Sequence, residues 1–302
     1  MRFGVVLPTY PQGATIEGVA QVAQAAERLG FASVWTTDHV ILPVEAAGPY
    51  AEILEPLLTL AYVAPLTRAV RLGISVIVVP QRNGVVLAKE LATLDRLCGG
   101  RLIVGVGAGW SEDEFKMLGV GDRFHHRGAY LDETVRLWTH LWTTPGTPYR
   151  GRFYDLPAVA FGPPPLQPGG PPIWVGGASE GARRRAGRIG AAWHPVGISA
   201  SQLAEQSHLV QQSATESGRT GPELAPRLPI QFGAGGEALA AGQMQTIHGS
   251  PDEVVTQLRG YAEAGVSEIV CLFNSPDGNV VVEQMEMVAE HVMPVLTGAA
   301  NR

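Results

Sequence analysis

Two patterns alternate along the chain. Short runs of β-branched and apolar residues, such as Leu72–Val79 and Leu102–Val106, show no polar alternation, which suits strands covered on both faces. Between those two runs, Val85, Leu87, Ala88, Leu91, Leu94 and Leu97 recur at helical spacing, with Lys89, Glu90, Asp95 and Arg96 between them. Gly99-Gly100 ends the helix, because glycine tolerates the left-handed conformation of a helix C-terminus. The second strand of this parallel βαβ unit runs out into Gly105–Gly109, a backbone that can approach something flat or anionic.

The unit recurs. Strands are predicted at Phe3–Leu7, Ser33–Thr37, Leu72–Val79, Leu102–Val106, Ile173–Val175, Ala191–His194, Pro229–Phe232 and Glu268–Phe273. Helices are predicted at Ile16–Leu29, Pro56–Leu66, Val85–Leu97, Gly128–Trp142, Glu180–Ile189, Ser201–Ser217, Pro251–Ala264 and Val280–Leu296. Eight βα units favour an α/β (β/α)8 TIM barrel over an open doubly wound sheet, which would carry a glycine fingerprint near the first turn. No tandem repeat or linker marks a second domain, so residues 1–302 read as a single barrel domain. From Thr144 to Pro172 there are nine prolines and five glycines, too many for regular structure. This stretch is expected as a long Pro/Gly-rich insertion before the fifth strand, ordered by Phe153, Tyr154 and Phe161. A second glycine-rich loop, 233–242, is expected near the barrel mouth.

Composition narrows the function. With 45% hydrophobic and 17% charged residues, the chain is an ordinary globular one, and its formal charge of −6 speaks against nucleic acid or an anionic membrane as partner. No apolar run approaches the roughly 20 residues of a membrane span. The start, MRFGVVLPTY, enters a strand at once and lacks the shape of a signal peptide. Cys98 and Cys271 stand alone, as buried thiols of a cytoplasmic protein do.

Chemistry in such a barrel sits at the C-terminal strand ends. These carry Thr9 and Tyr10, Asp38-His39, Pro80–Arg82, Gly107–Trp110, Gly176–Ser179, His194 and Asn274. Asp38 is the one carboxylate among them, so hydrolysis by paired carboxylates is poorly supported. Asp38, His39 and His194 could share a metal only against the strand alternation that points neighbours to opposite faces, and no metal is assigned. There is no GxSxG elbow and no GxxxxGK[ST] loop. Gly176-Gly177-Ala178-Ser179 stands directly before a helix, whose free N–H groups can hold a phosphate, and one of Arg183, Arg184 and Arg185 could face the same anion. His39 has a plain alternative as a core histidine. His125, His126 and Arg127 read as surface or helix-entry residues, while Tyr10, Trp110 and His194 are candidates for the pocket wall.

Together these residues resemble a known family. TTDHV, LGISVIVVPQRNGVVLAKELATLDRLCGGRLIVGVGAGW, RFHHRGAYLDE, PPIWVGGASEGARRRAGRIGAAWHP and GSPDEVVTQLRGYAEAGVSEIV are similar to the luciferase-like monooxygenase superfamily, and most to its F420-dependent (deazaflavin) oxidoreductases. The resemblance runs from Phe3 to about Ile269. It implies a TIM barrel that binds F420 or FMN at its mouth, an insertion like 144–172, and a homodimer. Carried over by position, Asp38 and His39 match the Asp-His pair beside the ring. Ser75 and Val76 fall where the family often has a non-proline cis peptide. Gly107, Ala108 and Gly109 match the glycine run near the ring, and Gly176, Gly177, Ala178 and Ser179 match the phosphate loop. Some deazaflavin dehydrogenases carry a glutamate after the glycine run, and here Trp110 stands there, so a mechanism through that acid does not carry over. The implied activity is hydride transfer between F420 and a small organic substrate. FMN-dependent monooxygenation and flavin binding without turnover are the alternatives.

Overall fold

The computed structural model describes residues 1–10, 13–233 and 244–297. Eight parallel strands form the wall of a barrel: β1 (Arg2–Val6), β2 (Ser33–Thr36), β3 (Arg71–Val78), β4 (Leu102–Gly107), β5 (Ile173–Gly176), β6 (Ala192–His194), β7 (Arg227–Phe232) and β8 (Glu268–Leu272). Each pairs with its successor from β1 to β6, and β8 pairs with both β7 and β1. The seam between β6 and β7 closes through the Ala225 N–H on Trp193 O (2.9 Å) and the Arg227 N–H on Pro195 O (2.8 Å). A short strand, Glu223–Leu224, pairs with β6 just before.

The expected strand bounds hold to within two residues. The largest difference is at β7, which starts at Arg227 instead of Pro229 and so brings an arginine into the wall. An arginine followed two residues later by proline looks like the edge of a loop; proline lacks an N–H but tolerates extended backbone. A further strand, Ile247–Gly249, lies parallel to the end of β7 and was not foreseen.

The helices follow the expected order: α1 (Ile16–Arg28), α2 (Pro56–Val63), α3 (Gly84–Leu97), α4 (Arg127–Thr143), α5 (Glu180–Ile189), α6 (Ala200–Glu216), α7 (Pro251–Glu263) and α8 (Gly278–Met287). The pattern 280–296 is divided after α8 by a π-helical turn, Val288–Val292. Side chains of Thr15, Asn83, Ser179, Ser199, Ser250 and Asp277 accept from first-turn N–H groups, which otherwise lack partners. Among the described residues no helix is long and apolar enough to cross a membrane. Cys98 and Cys271 are buried free thiols.

Two apolar cores result. One lies between strands and helices, with Val19, Leu60, Leu91 and Leu258 fully buried. The other fills the barrel, where Val6, Trp35, Ile103, Trp174, Ala192 and Val270 meet. Trp35 needs glycine opposite, since a Cβ on Gly73 would lie 2.2 Å from its ring.

The segment 144–172 carries a small antiparallel hairpin, Tyr149–Arg150 with Asp155–Leu156. Two buried carboxylates on barrel helices hold it. Glu133 of α4 accepts from the N–H groups of Arg152, Phe153 and Tyr154 at 2.9–3.1 Å. Asp95 of α3 accepts from those of Leu166 and Gln167 at 2.7 and 3.0 Å. Of the stretch 233–242, only Gly233 lies within the described residues.

Candidate active site

At the end of β2, Asp38 and His39 diverge. The Asp38 carboxylate is buried and accepts from the Val78 N–H (2.8 Å) and from Arg82 Nη2 (2.6 Å). Arg82 also reaches Glu55 at 3.1 Å. Burial alone would lower the Arg82 guanidinium, but Asp38 and then Glu55 outweigh it and raise it. Asp38 therefore ties the exits of β2 and β3 together.

His39 finds an acid absent from the list of strand ends. Its Nδ1 lies 3.1 Å from Glu114 Oε2, and Glu114 also accepts from the Val40 N–H at 2.9 Å. Burial would raise the Glu114 carboxyl, yet the hydrogen bonds from His39 and Val40 outweigh it and hold it below the usual range. An ionised carboxylate only accepts, so Nδ1 carries the proton and Nε2 of the neutral ring keeps its lone pair. The His39 ring lies between Tyr50 (centroids 4.7 Å apart) and Trp110 (5.7 Å, edge-on). Trp110 is 58% exposed beside it, a position consistent with a pocket wall.

A ledge of small residues adjoins this pair. The Ser75–Val76 bond is cis, and the β3–β4 register shifts between Ile74 and Ile77. Val76 is half-buried, and its methyls lie 2.5 Å and 2.8 Å from where a Cβ on Gly107 and on Gly176 would sit. The neighbouring strand thus requires glycine at both positions, independently of any ligand. Gly109 adopts φ +82°, where a Cβ would meet Val78 and Phe115 at 2.8 Å. Arg127 donates to Gly109 O at 3.2 Å and so ties α4 to the ledge.

The exposed run Gly177–Ser179 leads into α5, with Gly177 at φ +96° and Ser179 as the N-cap. The three arginines there separate. Arg184 pairs with Glu180 at 2.9 Å, and Arg185 is held by Asp132 and Gly128 O. Arg183 has a buried Nε without a partner among the described residues, next to the loop expected to hold an anion.

His194 lies within the barrel with no exposed surface. Its Nδ1 must donate to Ala225 O, so Nε2 accepts from Ser75 Oγ at 2.8 Å. It stacks on Trp35 (5.1 Å, 20°), and burial pushes its imidazole down to about 4. Expected on the pocket wall, it is enclosed by its partners and belongs to the layer beneath. That layer also holds Tyr10, which is 6% exposed, lies tilted against Tyr50 (ring centroids 5.1 Å apart) and meets the Arg227 side chain.

Sequence reasoning missed Glu114 and Arg227. Ser111-Glu112-Asp113-Glu114 has capping-box spacing, and Ser111 Oγ does accept from the Glu114 N–H at 3.2 Å. The Glu114 side chain turns instead to His39. A cleft of about 320 Å³ lies between Asn83, Arg123, His126, Tyr130 and Tyr154, beside the exit of β3, where Arg123 donates to Pro80 O and Arg82 O at 3.1 Å. Among the described residues no group of three or more His, Cys, Asp or Glu is placed to hold a metal.

The chain belongs to the luciferase-like monooxygenase family, whose model matches residues 1–241. The F420-dependent glucose-6-phosphate dehydrogenase of Amycolatopsis mediterranei is 28% identical over 337 residues, covering 92% of this chain and 94% of that one. Two solved structures share the fold. The monooxygenase RslO1 from Streptomyces bottropensis gives a TM-score of 0.82 at 24% identity, covering 98% of this chain and 99% of that one. An F420-dependent secondary alcohol dehydrogenase, in complex with an F420-acetone adduct, gives 0.83 at 18% identity over 98% of each.

Proposed function

We propose that this member of the luciferase-like monooxygenase family is an oxidoreductase that moves a hydride between F420, held at the barrel mouth, and a small organic substrate. The observation that carries the reading is His39, held by ionised Glu114 through Nδ1, with no partner for Nε2 among the described residues. When bound, a deazaflavin supplies a ring carbon that accepts or releases a hydride. His39 Nε2 takes the substrate proton when the hydride leaves and returns it in the reverse direction. Glu114 fixes the tautomer and stabilises the imidazolium while the proton is held. It does the work assigned elsewhere to a glutamate after the glycine run, whose place Trp110 takes. Trp110 and Tyr50 flank His39 and keep water from it.

Residues suited to the cofactor are present on independent grounds. Val76 and the glycines around it offer an apolar ledge for a flat ring. Gly177, Ser179 and Arg183, whose Nε has no partner among the described residues, suit its phosphate. A homodimer belongs to the same reading: Leu58 and Tyr62 of α2 and Val86 of the adjacent α3 are exposed apolar residues suited to a partner copy.

The test is titration of purified protein with F420 and FMN, then single-turnover reduction with and without oxygen. F420 binding with oxygen-independent turnover is expected. FMN binding with oxygen-dependent product would instead assign the monooxygenase, and cofactor binding without turnover a carrier. His39→Ala should bind F420 normally and lose about 10²-fold or more in kcat. Unchanged kcat would remove His39 from the chemistry.

A further inference from the structure

Arg227, at the start of β7, is 3% exposed within the barrel. Its Nη1 donates to Thr37 Oγ1 (2.9 Å) and Ser75 O (3.1 Å), with Ser75 Oγ at 3.5 Å, and its Nη2 meets the Tyr10 hydroxyl. All of these are neutral. Among the described residues no carboxylate pairs with it and its Nε has no partner. Burial lowers the guanidinium to about 10, which still leaves it charged at neutral pH. Buried charges are ordinarily paired, because a lone one forfeits its hydration without return. A neutral side chain could span the same space at less expense. A cation at this depth is favoured when negative charge comes to join it. Its neighbours place it directly beneath the mouth: Ser75 begins the Val76 ledge, Thr37 precedes Asp38-His39, and Tyr10 touches Tyr50 above.

We infer that Arg227 receives a negatively charged oxygen of the small molecule that enters the barrel mouth, with the Tyr10 hydroxyl beside it. This rests on the mouth being the ligand site, whichever cofactor occupies it. A planar guanidinium with a free Nε matches an oxyanion that presents one or two oxygens, either on the pyrimidine edge of a flavin-type ring or on a substrate carboxylate.

The experiment compares the wild-type chain with Arg227→Met and Arg227→Lys. Each is titrated with F420, with FMN, and separately with acetate, pyruvate and benzoate, the last three followed by tryptophan fluorescence because Trp35 and Trp174 lie against His194 in the same layer. Thermal melts are recorded in parallel. Arg227→Met should weaken at least one class of probe tenfold or more while its Tm stays level or rises, and Arg227→Lys should fall between. Loss for the cofactors assigns the oxygen to the ring; loss for the carboxylates alone assigns it to the substrate. Wild-type affinity for every probe in both variants overturns the inference, as does a wild-type chain that binds none of them. A fall in Tm with unchanged binding makes Arg227 a structural tie, and so does an Arg227→Met chain that does not fold beside an Arg227→Lys chain that binds normally. If wild-type protein binds carboxylates through Arg227 but neither cofactor, the proposed function fails and this inference stands. Cofactor binding equal in all three chains, with carboxylate binding unaffected, reverses that.

Discussion

Two charges are buried in one barrel and are treated in opposite ways. Glu268, at the N-terminal end of β8, has no exposed side chain and accepts from Arg2, Arg71 and Ser33. Arg227, on the neighbouring β7, pairs in register with Val270, two residues further along β8, and has no acid to answer it among the described residues. Trp35 stands between the two, its indole N–H donating to Ser33 at 2.7 Å and its ring stacked on His194. At the floor the charge is neutralised within the protein, which is what stability requires. Towards the mouth a charge is left open, where a ligand can complete it.

The floor should therefore fail by unfolding, and this is the largest effect expected. Glu268→Ala removes charge-assisted hydrogen bonds to two arginines and a buried serine, a loss of about 2 to 3 kcal/mol. The melting temperature should fall by roughly 5 to 10 °C, while cofactor affinity measured well below the melt stays at the wild-type value. Arg227→Met makes the opposite exchange. If Glu268→Ala weakens cofactor binding at full folding, the two ends are not separate and the comparison breaks.

The layer between them gives a pH signature of somewhat smaller size. Burial holds His194 near 4, whereas the unfolded chain titrates it near 6.5. Below 6.5 the unfolded chain binds a proton that the folded one does not, so stability is complete above that pH and declines as pH falls towards 4. The slope is about 1.4 kcal/mol per unit, or about 2 kcal/mol lost at pH 5. Glu114, held below the usual carboxylate range, adds a loss of the same sign at lower pH. His194→Gln keeps a donor and an acceptor but does not titrate, so its melts at pH 7 and pH 5 should lie closer together than those of wild type. An equal separation would mean that His194 is not the group being titrated.

The barrel was legible because its signals are local. Leu72–Val79 and Leu102–Val106 are apolar on both faces, and the helix between them announces itself by spacing and by Gly99-Gly100. The exits were legible for the same reason, since Asp38-His39 and Gly176–Ser179 stand at strand ends. Glu114 was hidden because its role is defined by a partner 75 positions away, while its local spacing fits a helix cap. Arg227 was hidden by Pro229, which reads as the first residue of the strand and leaves the arginine outside it. What a side chain meets across the barrel is not written in its neighbours along the chain.

The arginines of α5 show the same limit and allow the finest test. Three consecutive arginines are indistinguishable by position, yet Arg184 and Arg185 have acids at 2.9 Å and closer, and Arg183 has none among the described residues. Pairing of this kind decides which guanidinium is available to an anion. Arg183→Ala should weaken F420 binding by about tenfold, equivalent to one charge-assisted bond of about 1.4 kcal/mol at a half-exposed site. Arg184→Ala, the control one residue along, should leave affinity unchanged, since its bond to Glu180 is an exposed pair of little consequence. Raising salt from 50 to 500 mM should narrow the gap between wild type and Arg183→Ala, because the lost term is largely Coulombic and partly screened. If both variants bind alike, the phosphate is held by the backbone of Gly177–Ser179 alone.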